Sequence, residues 1–252
     1  MILEILKNIV IEAGNSALSD FGKFNAEFKT DNSPVTKADY NVQKFLKTRL
    51  SAIFPRYKFL AEEDCEPPDV FTENDYIWVI DPIDGTDAFR EGIPIWGVSV
   101  GLVHKFQPVM GIFYMPCTNM VFYCDCDGKN AFENGRLIDT KDIQRSTNIF
   151  APSDLSKFFK VNYNLKIRSL GSTAAHICFL ARGAGCGAII NGHPWDIAAA
   201  MAILKASGGN IFSLSGTPFE FSSILSTNTQ SEFLVASPDG KMPSFIDHFK
   251  LK

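Results

Sequence analysis

The chain has 252 residues, 46% of them hydrophobic, with 24 Lys and Arg against 28 Asp and Glu and a net charge of -4. That length fits one large domain or two small ones, with apolar material for a sizeable core. Mild acidity without a dense Lys/Arg cluster excludes a nucleic-acid footprint, and no run of about 18 apolar residues is present to cross a membrane.

Ile2, Leu3, Ile5, Leu6, Ile9, Val10, Ala13 and Ala17 recur at helical spacing, which predicts an amphipathic helix over 2–19. Glu4 and Lys7 interrupt its apolar stretch, so it does not read as a signal-peptide core. Ala26 to Thr30 fits a strand closed by the turn Asp31-Asn32-Ser33-Pro34. After Val35-Thr36-Lys37-Ala38-Asp39 comes a second helix, with Val42, Phe45, Leu46, Leu50 and Ile53 expected on its buried face. Thr36 and Asp39 stand at capping-box spacing. Glu62, Glu63 and Asp64 follow Phe59-Leu60-Ala61 as three adjacent acids, which by themselves read as solvated loop charge. Pro67-Pro68 and the stretch to Asp75 read as loop.

The most informative stretch is Trp78-Val79-Ile80-Asp81-Pro82-Ile83-Asp84-Gly85-Thr86-Asp87-Ala88-Phe89. Tyr76 to Ile80 reads as a buried strand, and Pro82, which has no N–H for a ladder, predicts its end at Asp81. Asp81 and Asp84 then stand on the turn beyond it, beside Gly85, which permits a left-handed φ, and Thr86, which can cap the next element. Two acids at a strand end, next to backbone N–H groups, suit a divalent cation holding a phosphate. An EF-hand does not fit, because counting from Asp81 puts Ile83 and Gly85 where oxygen ligands belong. No G-K-[ST] of a P-loop is present.

Ile95–Val103, Val109–Tyr114 and Met120–Cys124 read as strands of a mostly antiparallel sheet, and Asn134-Gly135 as a type I′ hairpin. Cys124 and Cys126 alternate on a strand-like segment, both sulfurs on one face. The six cysteines show no C-x-x-C pair and read as reduced thiols of a cytoplasmic protein. A division near Asp139 gives an N-terminal α+β half, 1–138, and a C-terminal α/β half, 139–252. In the second half strands at 148–151, 166–170 and 188–190 alternate with helices at 154–159, 172–181 and 196–207, the last stopped by Gly208-Gly209. Asp196 reads as the N-cap of that last helix. Strands at 211–214 and 233–236 and a short terminal helix complete the chain. His104, His176 and His248 have no clustered partners and read as structural.

The stretch W-V-I-D-P-I-D-G-T-x-x-F resembles the signature of the inositol monophosphatase family, the Mg²⁺-dependent and typically lithium-sensitive phosphomonoesterases. Four further segments fit that family in order: Val35-Thr36-x-x-Asp39, Ala61-Glu62-Glu63 where the family has G-E-E, Gly171-Ser172-Thr173-Ala174, and Trp195-Asp196 with its Ala-rich helix. The resemblance covers about Asp31 to Gly209. It implies a layered αβαβα sandwich, commonly a homodimer, acting on a small phosphorylated metabolite with two or three Mg²⁺ per site. It implies that Glu62, Asp81 and the Ile83 carbonyl hold one ion, and that Asp81, Asp84 and Asp196 hold a second. Glu62 and Thr86 then flank the attacking water, Asp39 orients Thr86, and Gly85 and Thr86 cradle the phosphate. Gly171 and Ser172 lie near substrate.

The family's usual carboxylate for sugar hydroxyls, a few residues before W-D, is missing. Counting back seven from Asp196 gives Ile189, and Asn191 is the nearest polar candidate. Phe89-x-x-Gly92-x-Pro94-x-Trp96 is similar to the histidinol-phosphatase branch, and Asp87 reads as surface charge or as repulsion of a highly anionic substrate. The expected activity is therefore of the inositol monophosphatase type, with histidinol phosphate, another sugar phosphate or a nucleotide phosphate as alternatives. A non-catalytic binder on the same fold and a structural calcium module are the readings from other classes.

Overall fold

The computed structural model describes the chain except residues 1, 25–26, 30–33, 65–69, 139–146, 163, 165 and 226–228. The expected turn 31–33, the Pro67-Pro68 stretch, Cys65 and the division at Asp139 lie outside the described residues.

Helix α1 spans Ile2–Ala17, and α2 spans Lys37–Ile53. Between them β1 (Glu27–Phe28) and β2 (Pro34–Val35) pair antiparallel. Thr36 caps α2 in a full capping box with Asp39. Ile53, expected on the buried face, is exposed, because the helix ends there and Phe54 turns in against Trp78 instead.

The first sheet has seven strands in sequence order: β3 (Lys58–Ala61), β4 (Tyr76–Asp84), β5 (Gly97–His104), β6 (Gln107–Met115), β7 (Met120–Cys124), β8 (Ala131–Glu133) and β9 (Arg136–Leu137). β3 and β4 are parallel, and the rest form an antiparallel meander. The turn between β8 and β9 has positive φ at both Asn134 (48°) and Gly135 (82°), as type I′ requires. Strand β4 does not stop at Asp81. It continues to Asp84 through a register shift, and that irregularity accommodates Pro82 without a lost ladder bond. Strand β7 ends at Cys124, so Cys126 lies in the exposed turn beyond it rather than on the same strand face.

The second sheet has the order β12-β10-β13-β15-β14, built from β10 (Ile149–Phe150), β12 (Ile167–Arg168), β13 (Gly187–Ile190), β14 (Asn210–Ser213) and β15 (Leu234–Ser237). β12, β10 and β13 are parallel, and β15 and β14 antiparallel. Helix α4 is one turn, Leu155–Phe158, and the chain then forms β11 (Phe159–Val161), paired with β16 (Phe249–Leu251). The terminal helix is a 3₁₀ segment, Ser244–His248.

The layers follow from strand alternation. α1 and α2 cover one face of the first sheet, and α5 (Thr173–Ala181) and α6 (Pro194–Ala206) pack between the two sheets. Ala188, Ile190 and Ala236 join the main core, while Ile189 and Val235 point the other way, to a smaller core with Leu155, Phe159, Phe245 and Phe249. The result is the expected layered αβαβα sandwich. α6 comes unusually close to the first sheet: a Cβ on Gly111 would stand 2.1 Å from the Ala199 carbonyl oxygen.

Candidate metal and active site

Parallel pairing of β3 with β4 sets Ala61, the last residue of β3, beside Ile80, and β4 runs on to Asp84. The Glu62 N–H donates to the Ile80 carbonyl (3.1 Å), which places Glu62 next to Asp81. Ala61 lies within β3 and is not at positive φ, so alanine in place of the family's glycine carries no strain. The three acids are not solvated loop charge as a group, since Glu63 is buried and its N–H donates to Gln43 Oε1 (2.9 Å).

Asp81 is buried, and its Oδ1 accepts from the Ile83 N–H (3.0 Å). Asp84 reaches the N-terminus of α5. Its Oδ2 accepts from Ser172 Oγ (2.5 Å) and the Ala174 N–H (2.8 Å), and its Oδ1 from the Thr173 N–H (3.2 Å). A carboxylate there complements the unsatisfied amides and the positive end of the helix. Asp196 is not the N-cap of α6. It occupies the third helical position and accepts from the His193 N–H (2.7 Å), closing a capping box in which His193 is the cap. Oxygens of Asp81, Asp84 and Asp196 all lie within 4.8 Å of one another.

Three like charges held that close in a buried place oppose ionisation. Burial raises Asp81 and Asp196 well above the usual carboxylate range, and repulsion from Glu62 and Asp84 pushes both further. Burial also lifts Asp84 to about 6, against the opposing pull of its three donors. Protonation relieves that penalty, and a bound cation offsets it with the carboxylates still ionised. An all-oxygen set of carboxylates fits Mg²⁺ or another hard divalent ion better than zinc or copper.

Asp39 is fully buried. Its Oδ2 accepts from the Thr36 N–H (2.8 Å) and Oγ1 (2.6 Å), and burial raises it to about 6. Thr86 Oγ1 lies 3.3 Å from Asp39 Oδ1 and 3.0 Å from the Ile83 carbonyl. Thus the capping box and the expected Asp39–Thr86 partnership coexist. Gly85 has φ of 97°, and a Cβ there would meet the Gly171 carbonyl at 2.9 Å, so no other residue fits this turn. It brings Gly171 beside the start of α3 (Thr86–Arg90).

A cavity of about 230 Å³ opens beside Asp84 and Asp196. Ser153, Ser169 and Asn191, each just past the C-terminal end of β10, β12 or β13, line it with Ser172 and Thr173. Parallel strands converge their C-terminal ends on one crevice, which is how three distant segments meet here. Ile189, seven residues before Asp196, faces the outer core, whereas Ile190 and the polar candidate Asn191 line the cavity. Ser172 lies where expected, but it is buried and its hydroxyl is committed to Asp84, so it positions that carboxylate. His176 backs the cavity with Nε2 accepting from the Leu170 N–H (2.8 Å), and burial lowers it to about 4, which keeps it neutral. Sequence reasoning missed Ser153, Ser169 and Lys29, whose Nζ lies 2.8 Å from Glu62 and from Glu63. A serine shortly after each of two predicted strands was the only available signal for the first two.

A layered α/β sandwich with three acids gathered at the end of β4 and the start of α6 defines a class of scaffold suited to holding a hard divalent cation. The model of the inositol monophosphatase family matches residues 2–243. The fructose-1,6-bisphosphatase/inositol-1-monophosphatase of Aquifex aeolicus is 30% identical over 246 residues, covering 90% of each chain. Inositol monophosphatase 1 of Bos taurus is 31% identical over 75% of this chain and 74% of its own. The solved structure of a Thermotoga maritima IMPase superposes with a TM-score of 0.77 at 25% identity, over 94% of this chain and 92% of that one. The chain belongs to the inositol monophosphatase family.

Proposed function

We propose that this chain hydrolyses a small phosphate monoester with Mg²⁺, two or three ions per site. The observation that carries the proposal is the convergence of Asp81, Asp84 and Asp196, three acids from β4 and α6 that are strained without a cation. Glu62, Asp81 and the Ile83 carbonyl would hold one ion, and Asp81, Asp84 and Asp196 another. Such ions, when bound, supply charge neutralisation to the phosphate and lower the pKa of a water. The chain supplies the rest. Both neighbours of Thr86 Oγ1 are acceptors, so its own proton is taken and its lone pairs are left to orient a water. Asp39, fixed by Thr36, holds Thr86 in that pose, and Glu62 stands ready to take the proton. The backbone at Gly85 and Thr86 cradles the phosphate oxygens.

The cavity favours an uncharged, hydroxylated organic group. Its described lining offers serine and threonine hydroxyls and an amide, with no Lys or Arg for a second phosphate. It offers no carboxylate beyond Asp84 and Asp196, which metals would claim, so an ammonium such as histidinol's finds no partner. The motif similar to the histidinol-phosphatase branch has a packing role here, since Trp96 is fully buried against Phe89 and Cys117. Asp87 pairs with Arg90 at 2.8 Å, which favours a surface charge over a repulsive gate. An inositol-phosphate type of activity is thus the reading we favour. Cytoplasmic residence rests on Cys117, Cys124, Cys126 and Cys178, which are free thiols. Homodimerisation rests on the family resemblance, and light scattering decides it.

The test is phosphate release with and without Mg²⁺ on inositol 1-phosphate, fructose 1,6-bisphosphate, histidinol phosphate and 3′-phosphoadenosine 5′-phosphate. Metal-dependent turnover of inositol 1-phosphate, lost in a folded Asp84→Asn variant, is expected. Retained activity in that variant sinks the ligand assignment, and silence on every ester with Mg²⁺ still binding favours a non-catalytic scaffold.

A further inference from the structure

Two carboxylates at the exit of β3 share one ammonium. Lys29 Nζ lies 2.8 Å from Glu62 Oε1 and 2.8 Å from Glu63 Oε1. Lys29 directly follows β1 and is 33 residues from Glu62, outside every motif of the site. The two acids stand in different surroundings. Glu63 is buried, with its backbone fixed by Gln43, so its charge needs a permanent partner. Glu62 is more open and repels Asp81 and Asp196. It belongs to a cluster that demands a cation, and it already touches one.

We infer that Lys29 is a built-in counter-cation of this site, which covers Glu62 when no divalent ion is present and is left to Glu63 when one binds. The inference rests on the proposed role of Glu62 as a metal ligand. An ammonium on Glu62 occupies an acceptor oxygen and weakens the negative potential that draws a dication. The same ammonium relieves repulsion among the carboxylates of the metal-free protein. Lys29 is therefore a positioning residue with two opposed effects: it lowers affinity for the divalent ion and stabilises the fold in its absence.

The test is Mn²⁺ binding by calorimetry on the whole chain. Lys29→Gln should tighten the weakest Mn²⁺ site about tenfold, a change of about 1.4 kcal/mol. Because Lys29→Gln strands a buried Glu63, the comparison is repeated between Glu63→Gln and the double variant Lys29→Gln/Glu63→Gln, which should differ by the same factor. In EDTA, Lys29→Gln should melt below the parent chain. Lys47→Gln is the control, removing an equal charge from Asp64 next door, 2.7 Å away. Equal tightening in that control, or unchanged or weaker binding on loss of Lys29 in both backgrounds, overturns the inference. Glu62→Gln separates the two levels. Undiminished binding in that variant overturns the ligand set itself, whereas weakened binding there without tightening in Lys29→Gln overturns only the counter-cation.

Discussion

Asp84 is fixed by Ser172 and two amides of α5 before any ion arrives. The Ser172 hydroxyl also accepts from the Ala175 N–H (3.0 Å), so one side chain caps the helix and aims the carboxylate. Ser172→Ala removes both. We expect a loss of about 1–2 kcal/mol, as for other helix caps, read by urea unfolding. Divalent affinity should fall with it, because outer partners of a ligand commonly change binding 10- to 100-fold. Ser172→Thr should restore most of both. The pH dependence belongs to the same scale. In the metal-free protein burial holds Asp39 and Asp84 at about 6, above the ~4 of an unfolded aspartate. A raised carboxyl stabilises the fold fully below the unfolded value and ceases to do so as pH rises through about 6. His176, lowered to about 4 by burial, acts oppositely, its contribution being lost as pH falls from ~6.5 towards 4. Two aspartates, and Glu63 lifted by burial to about 7, outnumber it. In EDTA the melting temperature should therefore rise from pH 7 to pH 5, and saturating Mg²⁺ should reverse the slope. A melting temperature that falls over that interval in EDTA contradicts the strained acidic cluster.

At the level of elements, the site depends on α6 lying almost on the strands. Gly111 of β6 admits the Ala199 backbone, and Gly101 of β5 does the same for Ala198. Asp196 sits in the first turn of the helix so placed. Gly111→Ala puts a methyl group where a carbonyl oxygen already stands. It should cost about 3 kcal/mol, as overpacking of a tight core does, and lower the melting temperature by roughly 6–12 °C. Because Asp196 moves with the helix, Mg²⁺ should rescue stability less in the variant than in the parent chain. Equal rescue in both, measured by thermal melts with and without Mg²⁺, means that Asp196 does not depend on this contact. The same elements show what the sequence discloses. Asp81, Asp84 and Thr86 stood out because they share one short segment after a buried strand, whereas the pairing of Asp39 with Thr86, 47 residues away, was implied only by the family resemblance. The end of β4 was misjudged because the penalty for Pro82 was weighed without the bulge that absorbs it. Ser153 and Ser169 were not legible, since they meet only through the pairing of β10 with β12, and Lys29 was not, since it reaches Glu62 and Glu63 only through a side-chain contact across 33 residues.

Across the whole molecule, the proposed halves 1–138 and 139–252 divide the proposed ligands, with Glu62, Asp81 and Asp84 in one and Asp196 in the other. They do not divide the core. Leu6, Val42, Trp78 and Phe122 of the first half belong to one apolar cluster with Ala198, Ile203, Ile211 and Ala236 of the second. Helices α5 and α6 come from the second half, yet α6 covers β4, β5 and β6 of the first. A segment 1–138 made alone would expose the face that α6 covers, an apolar surface large enough to prevent stable folding. We therefore expect a single cooperative transition in urea, with fluorescence and circular dichroism coincident, and no folded product from residues 1–138. The proposed metal site straddles the same seam, so Mg²⁺ should shift that one transition as a whole rather than one half of it. Two resolved transitions, only one of them sensitive to Mg²⁺, would mean that the halves fold independently. In that case Asp196 would be recruited on docking rather than built into a common core.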